Sequence, residues 1–500
     1  MPKFPKLHKR TVIFSLAGLL AVALATTGIV IAANQPIKVD RPTIFTEKAV
    51  GVQMFGWNWN SLKTECATNL GPAGVDWILV DPPSDHVKGP QWWIHYQPTN
   101  YDIIGDHGTR EQFKAMIEAC NAAGVQVVAD AVVNHMANGI GVSFGSKAYG
   151  MKLKYADVYT KPNFHEGLDR NDPHYCIGDI RNWDEFNERT NCRFPGLPDL
   201  ATEQEYVRNK IAGYLNDLLS LGVVGFRFDA AKHMQPQDIA AIYNKLDKPA
   251  FLVQEIPGDS DTAEDYLANG DVWDWQSASD MQSMFAYASK MEMEAVGWSD
   301  FQASQYPSDQ ALTWVTNHDT ERHGGSLTYK DKVAFEMASL YLLSQPYGKP
   351  MLFSGYRFDN SDKGAPQDND GNVLDAVCGE ELYQFTCFHR STSLPGMIAW
   401  HKELYGNPIT IEDGKAGVYS VARSGVGSFF LNYNKKDVQL DKATDLPDGS
   451  YCDFVSGGKA PIAQDGASCV GEKVEVVGGK AILNMKQLTA MAISLSSKLK

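Results

Sequence analysis

Four short stretches of this 500-residue chain place carboxylates, histidines and amides together: Asp130-Ala131-Val132-Val133-Asn134-His135, Val223 to His233, Gln254-Glu255 and Asn317-His318-Asp319. In the second, Val-Val-Gly-Phe-Arg-Phe-Asp-Ala-Ala-Lys-His, strand alternation puts Phe226 and Phe228 on one face. Arg227 and Asp229 share the other, with Gly225 leaving room beside them. Opposite charges among large apolar residues are costly to bury unless they pair, so a structural Arg–Asp pair explains this stretch alone. The same guanidinium would hold Asp229 ionised, as a carboxylate nucleophile must be near neutral pH. The other three stretches favour chemistry, because each also closes an apolar, strand-like run.

The elements that must carry these groups follow from periodicity. Gly51–Trp57 and Trp77–Val80 read as buried strands, the second stopped by Asp81-Pro82-Pro83. An aromatic loop follows, Gln91-Trp92-Trp93-Ile94-His95-Tyr96-Gln97-Pro98. Adjacent tryptophans do not easily face one core, and exposed aromatic faces suit sugar rings. Residues 110–123 read as a helix and Val125–Asp130 as the next strand, a βαβ unit and hence a parallel sheet. From Met136 to about Pro198 periodicity lapses for too long to be a simple loop. A helix is expected over Thr202–Leu221, opened by a Thr202-Glu203-Gln204-Glu205 cap. Strands at Val223–Asp229, Pro249–Glu255, Asp271–Trp275, Leu312–Asp319 and Pro350–Ser354 alternate with helices, one of them near Lys330–Ser344. About eight such strands give an α/β chain with a (β/α)8 TIM barrel, in which catalytic groups gather at the C-terminal ends of strands. Beyond residue 405, short alternating strands separated by glycine and asparagine turns indicate an all-β sandwich.

The organisation expected is therefore a signal peptide over 1–33, a barrel over 34–135 and 200–404, an inserted small domain over 136–199 after the third strand, and a C-terminal β-sandwich over 405–500. Lys3, Lys6, Lys9 and Arg10 precede an apolar run from Val12 to Ala33, which marks a secretory signal cleaved near Ala33. An uncleaved anchor is the alternative, since the run is about as long as a bilayer span. A formal charge of −15 argues against non-specific nucleic-acid binding. Eight cysteines in an exported chain point to disulfides. Connectivity is open in principle. Pairing neighbours in order gives Cys66–Cys120, Cys176–Cys192, Cys378–Cys387 and Cys452–Cys469.

The four polar stretches, in this order, resemble the four conserved regions of the α-amylase family, glycoside hydrolase family 13. Gln53-Met54-Phe55, Trp92 to Pro98, Pro346-Tyr347-Gly348 and Cys387-Phe388-His389-Arg390 narrow the resemblance to animal-type members, which some bacteria also make. The likeness extends over nearly all of the mature chain. It implies Asp229 as nucleophile, Glu255 as general acid/base and Asp319 as transition-state stabiliser of a retaining glycosidase. It also implies that Trp92, Trp93, Tyr96, Gln97, His135, Arg227, Lys232 and His318 bind substrate, the two histidines by donating to sugar hydroxyls. On this chemistry Glu255 must hold a proton near neutral pH, so its neighbours should favour the protonated form.

Two ions enter through the same resemblance. Calcium would be held by Asn134 and Asp199 and by the backbone carbonyls of Thr190 and His233, an all-oxygen set that suits it. Chloride would use Arg227, Asn317 and a third basic residue after Pro346-Tyr347-Gly348. By counting, that third position is Met351, which cannot hold an anion, so a chloride site would need Lys349 to reach round. The run His323-Gly324-Gly325 is shorter than the glycine-rich loop of animal enzymes and implies a more open cleft. The function expected is a secreted, monomeric, endo-acting α-amylase on starch, glycogen and maltooligosaccharides, with no nucleic-acid partner and no membrane after signal cleavage. An exo-acting maltooligosaccharide-forming enzyme or a transglycosylase is the alternative within the family. A non-catalytic carbohydrate-binding homologue is disfavoured because all three carboxylates are present.

Overall fold

The computed structural model describes residues 43–258, 263–286 and 306–500. The expected signal peptide lies outside them. The described residues fall within one compact unit. Eight parallel strands close into a barrel: Gly51–Met54, Trp77–Val80, Gln126–Ala131, Gly225–Phe228, Phe251–Gln254, Asp271–Trp273, Ala311–Trp314 and Lys349–Ser354. Each pairs with its neighbours in chain order and the last pairs with the first. The strands are buried on both faces, as a barrel ringed by helices requires.

Strand alternation sorts the side chains into two cores. Trp77, Leu79, Val128, Phe251, Val253, Trp273, Leu312, Trp314 and Met351 pack together in one cluster. Their alternate neighbours, such as Ile78, Val80, Val127 and Phe226, join the core that packs against the helices. Gly51 is needed where it stands, because a Cβ there would lie 2.2 Å from the Trp77 indole. Gly225 makes room for Phe251 rather than for the charged pair beside it, since its Cβ would fall 2.5 Å from the Phe251 Cβ.

Two local expectations change. The helix before the fourth barrel strand starts at Glu205, with Gln204 at its N-cap and no side-chain cap. Thr202 instead donates to Asp238 at 3.0 Å. The aromatic stretch is not a plain loop: Trp92–Tyr96 form a turn of 3-10 helix. Beside it stands a small sheet of Ser84–His86, Pro98–Gly105 and Gly108–Thr109. Polar strand residues hid that sheet from a hydrophobic pattern.

Between residues 136 and 199 the regular structure is sparse. It consists of the paired two-residue strands Gly141–Val142 and Ala148–Tyr149, several 3-10 turns and the helix Phe186–Asn191. The Cys176–Cys192 disulfide staples this stretch, and the other three bridges join the neighbouring cysteines expected. At the C-terminal end, two four-stranded antiparallel sheets enclose a core that draws Phe430 and Ile493 from one sheet and Tyr451, Val474 and Leu483 from the other. The Trp400 indole donates to Ile493 O at 2.9 Å, and Arg423 donates to the carbonyls of Ser344, Leu404 and Asn407. These bonds lock the sandwich to the barrel helices. No helix among the described residues is long and apolar enough to cross a membrane.

Candidate active site

Register sets up the site. Asp130 on the third strand lies opposite Arg227 on the fourth, and Arg227 lies opposite Val253, two residues before Glu255. Period-two alternation therefore aims Asp130, Arg227, Asp229 and Glu255 into the barrel mouth. Arg227 is fully buried and contacts Asp130 at 2.6 Å, Asp229 at 3.1 Å and Glu255 at 2.9 Å. Its guanidinium also lies 4.5 Å from the ring centroid of Trp273 and 5.8 Å from that of Tyr96. One cation thus serves three carboxylates and two aromatic faces. The sequence reading placed Arg227 among the sugar-binding residues. It is fully buried and does not line the cleft.

After Asp229 the chain turns sharply. Ala230 adopts φ 51°, a left-handed conformation uncommon for a residue with a side chain. That turn aims the Ala230 amide at Glu255 Oε2, 2.8 Å away. Lys232 and Glu255 are also tied through their backbones, and Lys232 Nζ donates to Pro257 O at 2.6 Å. On the seventh strand's extension, Asn317 Oδ1 accepts from the amides of Asp319 and Thr320, both at 2.9 Å. This turns Asp319 toward the mouth.

Asp130, Asp229 and Glu255 contact Arg227, and Asp319 lies within reach of its charge. Burial, opposed by Arg227, pushes Asp130 up to about 6. Burial together with the charge of Glu255 pushes Asp319 up to about 7. Asp229 is raised well above the usual carboxylate range by burial, with Arg227 opposing and the other carboxylates adding to the rise. Arg227 favours the ionised form of Asp229, as expected, while burial and the neighbouring carboxylates oppose it. The cluster retains protons into the neutral range, and they belong to the group as a whole.

A cleft of about 800 Å³ opens over these residues. Of the substrate-binding residues expected, Trp92, Trp93, Tyr96, Gln97, His135, Lys232 and His318 line it, with Asp229, Glu255 and Asp319 on its floor. Trp92 is nearly buried and Trp93 is partly exposed, so the tandem tryptophans divide between support and surface. Tyr96 stacks on His318 with ring centroids 5.0 Å apart and donates to Asp130 at 3.0 Å. His318 Nδ1 accepts from the Gln53 amide at 2.9 Å, which leaves its Nε2–H facing Asp319. His135 differs from expectation: its Nε2 lies 3.0 Å from Tyr96 O, so its donor hydrogen is spent on the backbone. Burial lowers the His135 pKa to about 4 and keeps the ring neutral.

The sequence reading missed Asn138, Trp183, Phe194, Pro195, Leu197, Trp275 and His323, all of which line the cleft. Trp275 follows the sixth strand, where the strand-end rule would have found it. Trp183 and Phe194 sit in the aperiodic stretch, where nothing local marks them. They meet edge to face, and Phe194 stacks on His233 at 4.3 Å between centroids.

The residues expected to hold calcium make two separate contacts. Asn134 Nδ2 lies 3.1 Å from Asp199 Oδ1, and both side chains are buried. His165 Nδ1 holds the other Asp199 oxygen at 2.6 Å. His233 Nδ1 donates to Arg189 O at 3.1 Å, which draws the helix bearing Thr190 against the turn bearing His233. Both residues are buried, yet no described backbone amide donates to either carbonyl. Buried carbonyls without a donor, like a buried carboxylate and amide, are the groups an oxygen-seeking divalent cation takes.

Chloride fares differently. Lys349 begins the eighth strand and ion-pairs with Asp271 at 2.7 Å, at the opposite end of the barrel from the strand-end carboxylates. Met351 is fully buried in the apolar cluster with Trp273 and Trp314. Neither supplies a cation beside Arg227 and Asn317.

Comparison with known proteins gives a consistent picture. A sequence profile described as "Alpha amylase, catalytic domain" matches residues 74–266. An α-amylase of Streptomyces violaceus is 37% identical over 465 residues, spanning 92% of this chain and 77% of its own. Human pancreatic α-amylase is 32% identical over 502 residues, spanning 90% and 94% respectively. Among solved structures, α-amylase I of Eisenia fetida superposes with a TM-score of 0.81 at 27% identity, covering 90% of this chain and 98% of that one. A mutant of that enzyme has been solved as a complex with maltohexaose.

Proposed function

The chain belongs to the α-amylase family of glycoside hydrolases, and from that premise we propose a retaining, endo-acting cleavage of α-1,4-glucosidic linkages in starch, glycogen and maltooligosaccharides. The observation that carries this reading is that Asp229 and Glu255 both touch Arg227 on the floor of one cleft. Glu255 protonates the glycosidic oxygen while Asp229 attacks the anomeric carbon and forms a glycosyl-enzyme. Glu255 then takes a proton from the water that cleaves it. Asp319, held by Asn317 and facing His318, stabilises the oxocarbenium-like state. Trp93 and Trp183 offer partly exposed aromatic faces to glucose rings, and Lys232 faces the leaving-group side. The maltohexaose complex of the Eisenia fetida mutant supports a linear glucan as ligand.

Asn134, Asp199 and the carbonyls of Thr190 and His233 would hold calcium. Bound there, it would tie the 136–199 stretch to the barrel and fix one wall of the cleft. Arg227 positions the carboxylates without a chloride beside it. The protein is read as secreted and monomeric, with the domain limits expected from the sequence.

The anomeric form of the first product tests the mechanism. Retention requires the α-anomer from an α-linked substrate, measured by proton NMR before mutarotation, and a β-anomer would refute it. Amylose digestion tests endo action: a broad ladder of oligosaccharides at early times is expected, and one dominant short product from the outset would refute it. Asp229→Asn and Glu255→Gln should each lower kcat about 10⁴-fold or more.

A further inference from the structure

The Trp92–Tyr96 turn lines the cleft through Trp92, Trp93 and Tyr96, but His95 joins a buried cluster of His86, Asp106, His107 and Asp81 instead. All five are at most 5% exposed, and the reaction proposed above uses none of them.

Two of these imidazoles are prepared in the same way. His86 Nδ1 lies 2.8 Å from Val87 O, and His95 Nδ1 lies 3.0 Å from Trp92 O. A carbonyl oxygen only accepts, so each Nδ1 carries the hydrogen and each neutral ring keeps its lone pair on Nε2. His95 Nε2 and Asp106 Oδ1 share a hydrogen bond at 2.7 Å, whose proton a metal ion would displace, and His86 Nε2 lies 3.4 Å from the same oxygen. His86 Nε2 accepts from the Asp106 amide at 3.3 Å, a bond that a metal ion would replace. Gln367 fixes the other Asp106 oxygen at 2.9 Å, and His107 bridges Asp106 to Asp81 at 2.8 Å and 3.0 Å. Gly105 clears the space, because a Cβ there would lie 2.6 Å from His86 Nε2.

Histidines that give their second ring hydrogen to a backbone carbonyl are oriented as metal ligands usually are. Two imidazoles and a carboxylate suit a first-row transition dication rather than calcium, which takes oxygens. We propose that His86, His95 and Asp106 bind such an ion, with Zn²⁺ as the type, separately from the all-oxygen set at Asn134 and Asp199. Ligand atoms around a tetrahedral zinc sit about 3.3 Å apart, so binding opens the His95–Asp106 contact slightly. The ion clamps the aromatic turn of the cleft to the loop after the second barrel strand.

The test uses the whole chain, freed of metals with a chelator, refilled with calcium and titrated with Co²⁺. One equivalent should bind with the strong visible bands of low-coordinate cobalt, and Zn²⁺ should displace it and raise the Tm above that in calcium alone. His86→Gln and His95→Gln should each weaken cobalt binding at least tenfold, by analogy with lost metal-orienting contacts. His174→Gln, at a histidine that pairs with Asp172 outside this cluster, should retain it. Absence of the bands in the wild type, or bands undiminished in both variants, overturns the proposal. A proton shared by His95 and Asp106 would then be what fills the cluster. Should either variant fail to fold, anomalous diffraction at the zinc edge from wild-type crystals decides: density between His86, His95 and Asp106 supports the site. Density only at His135 or His318 in the cleft refutes it.

Discussion

Arg227 Nη1 lies 3.1 Å from Asp229 Oδ1, and the same guanidinium has no exposed surface. A cation buried this completely is tolerated because three carboxylates surround it, and they in turn are tolerated because of it. Arg227→Gln should therefore destabilise the fold by about 3–5 kcal/mol, the usual cost of leaving one side of a buried ion pair uncompensated. Urea unfolding of the two proteins measures it. A change below 1 kcal/mol would mean that water or protonation already neutralises the cluster.

The Trp273 ring, 4.5 Å from the Arg227 guanidinium, bears on ion dependence. Met351 and Lys349 bring no second cation to Arg227 and Asn317, so an anion there would have one charged ligand only. Replacing chloride by acetate at constant ionic strength should leave kcat/KM unchanged within twofold. A large gain on adding chloride back would show that Arg227 and Asn317 suffice.

The pH profile follows from the protons retained by the carboxylates. Asp229 must ionise to attack, and its pKa is raised by burial, so kcat/KM should climb with pH through a value well above the ordinary carboxylate range. Full activity at pH 4 would contradict this. Stability should move the other way. Asp130 and Asp319 hold protons in the fold up to about 6 and 7, whereas unfolded aspartates lose them near 3.8. The folded state binds more protons in that window, so this contribution is complete below about pH 4 and is lost as pH rises through 6–7. Asp130→Asn and Asp319→Asn should each flatten the fall in Tm over that range.

Calcium removal should act on the 136–199 stretch first. Chelation should lower the Tm and open the segment between Cys176 and Cys192 to protease, and Asp199→Ala should do so even with calcium present. At a calcium concentration about 100 times Kd, the stabilisation is about 2.7 kcal/mol. A Tm indifferent to chelator would exclude a calcium role for Asn134 and Asp199.

The strand-end clusters were legible because they depend on local order. Period-two alternation, prolines at strand ends and a polar residue closing an apolar run are properties of a few consecutive residues. The Thr202 cap and the hidden sheet of Ser84–His86 with Pro98–Gly105 were misread because tertiary partners outbid local preference there. Thr202 found Asp238, and polar strand residues found buried partners.

Sequence by itself determined which residues could do chemistry, their order along the chain and the barrel that would gather them. Barrel closure decided the rest, because it brings together groups far apart in sequence: Asp130 and Arg227 are 97 positions apart and 2.6 Å from each other. Only that closure shows Arg227 as a buried hub for three carboxylates rather than a sugar contact. It also sends Met351 into an apolar layer, spends the His135 hydrogen on Tyr96, and folds His86, His95 and Asp106 onto one point. Distance in space, desolvation and the direction of a hydrogen bond are properties of packing, and no spacing along the chain encodes them.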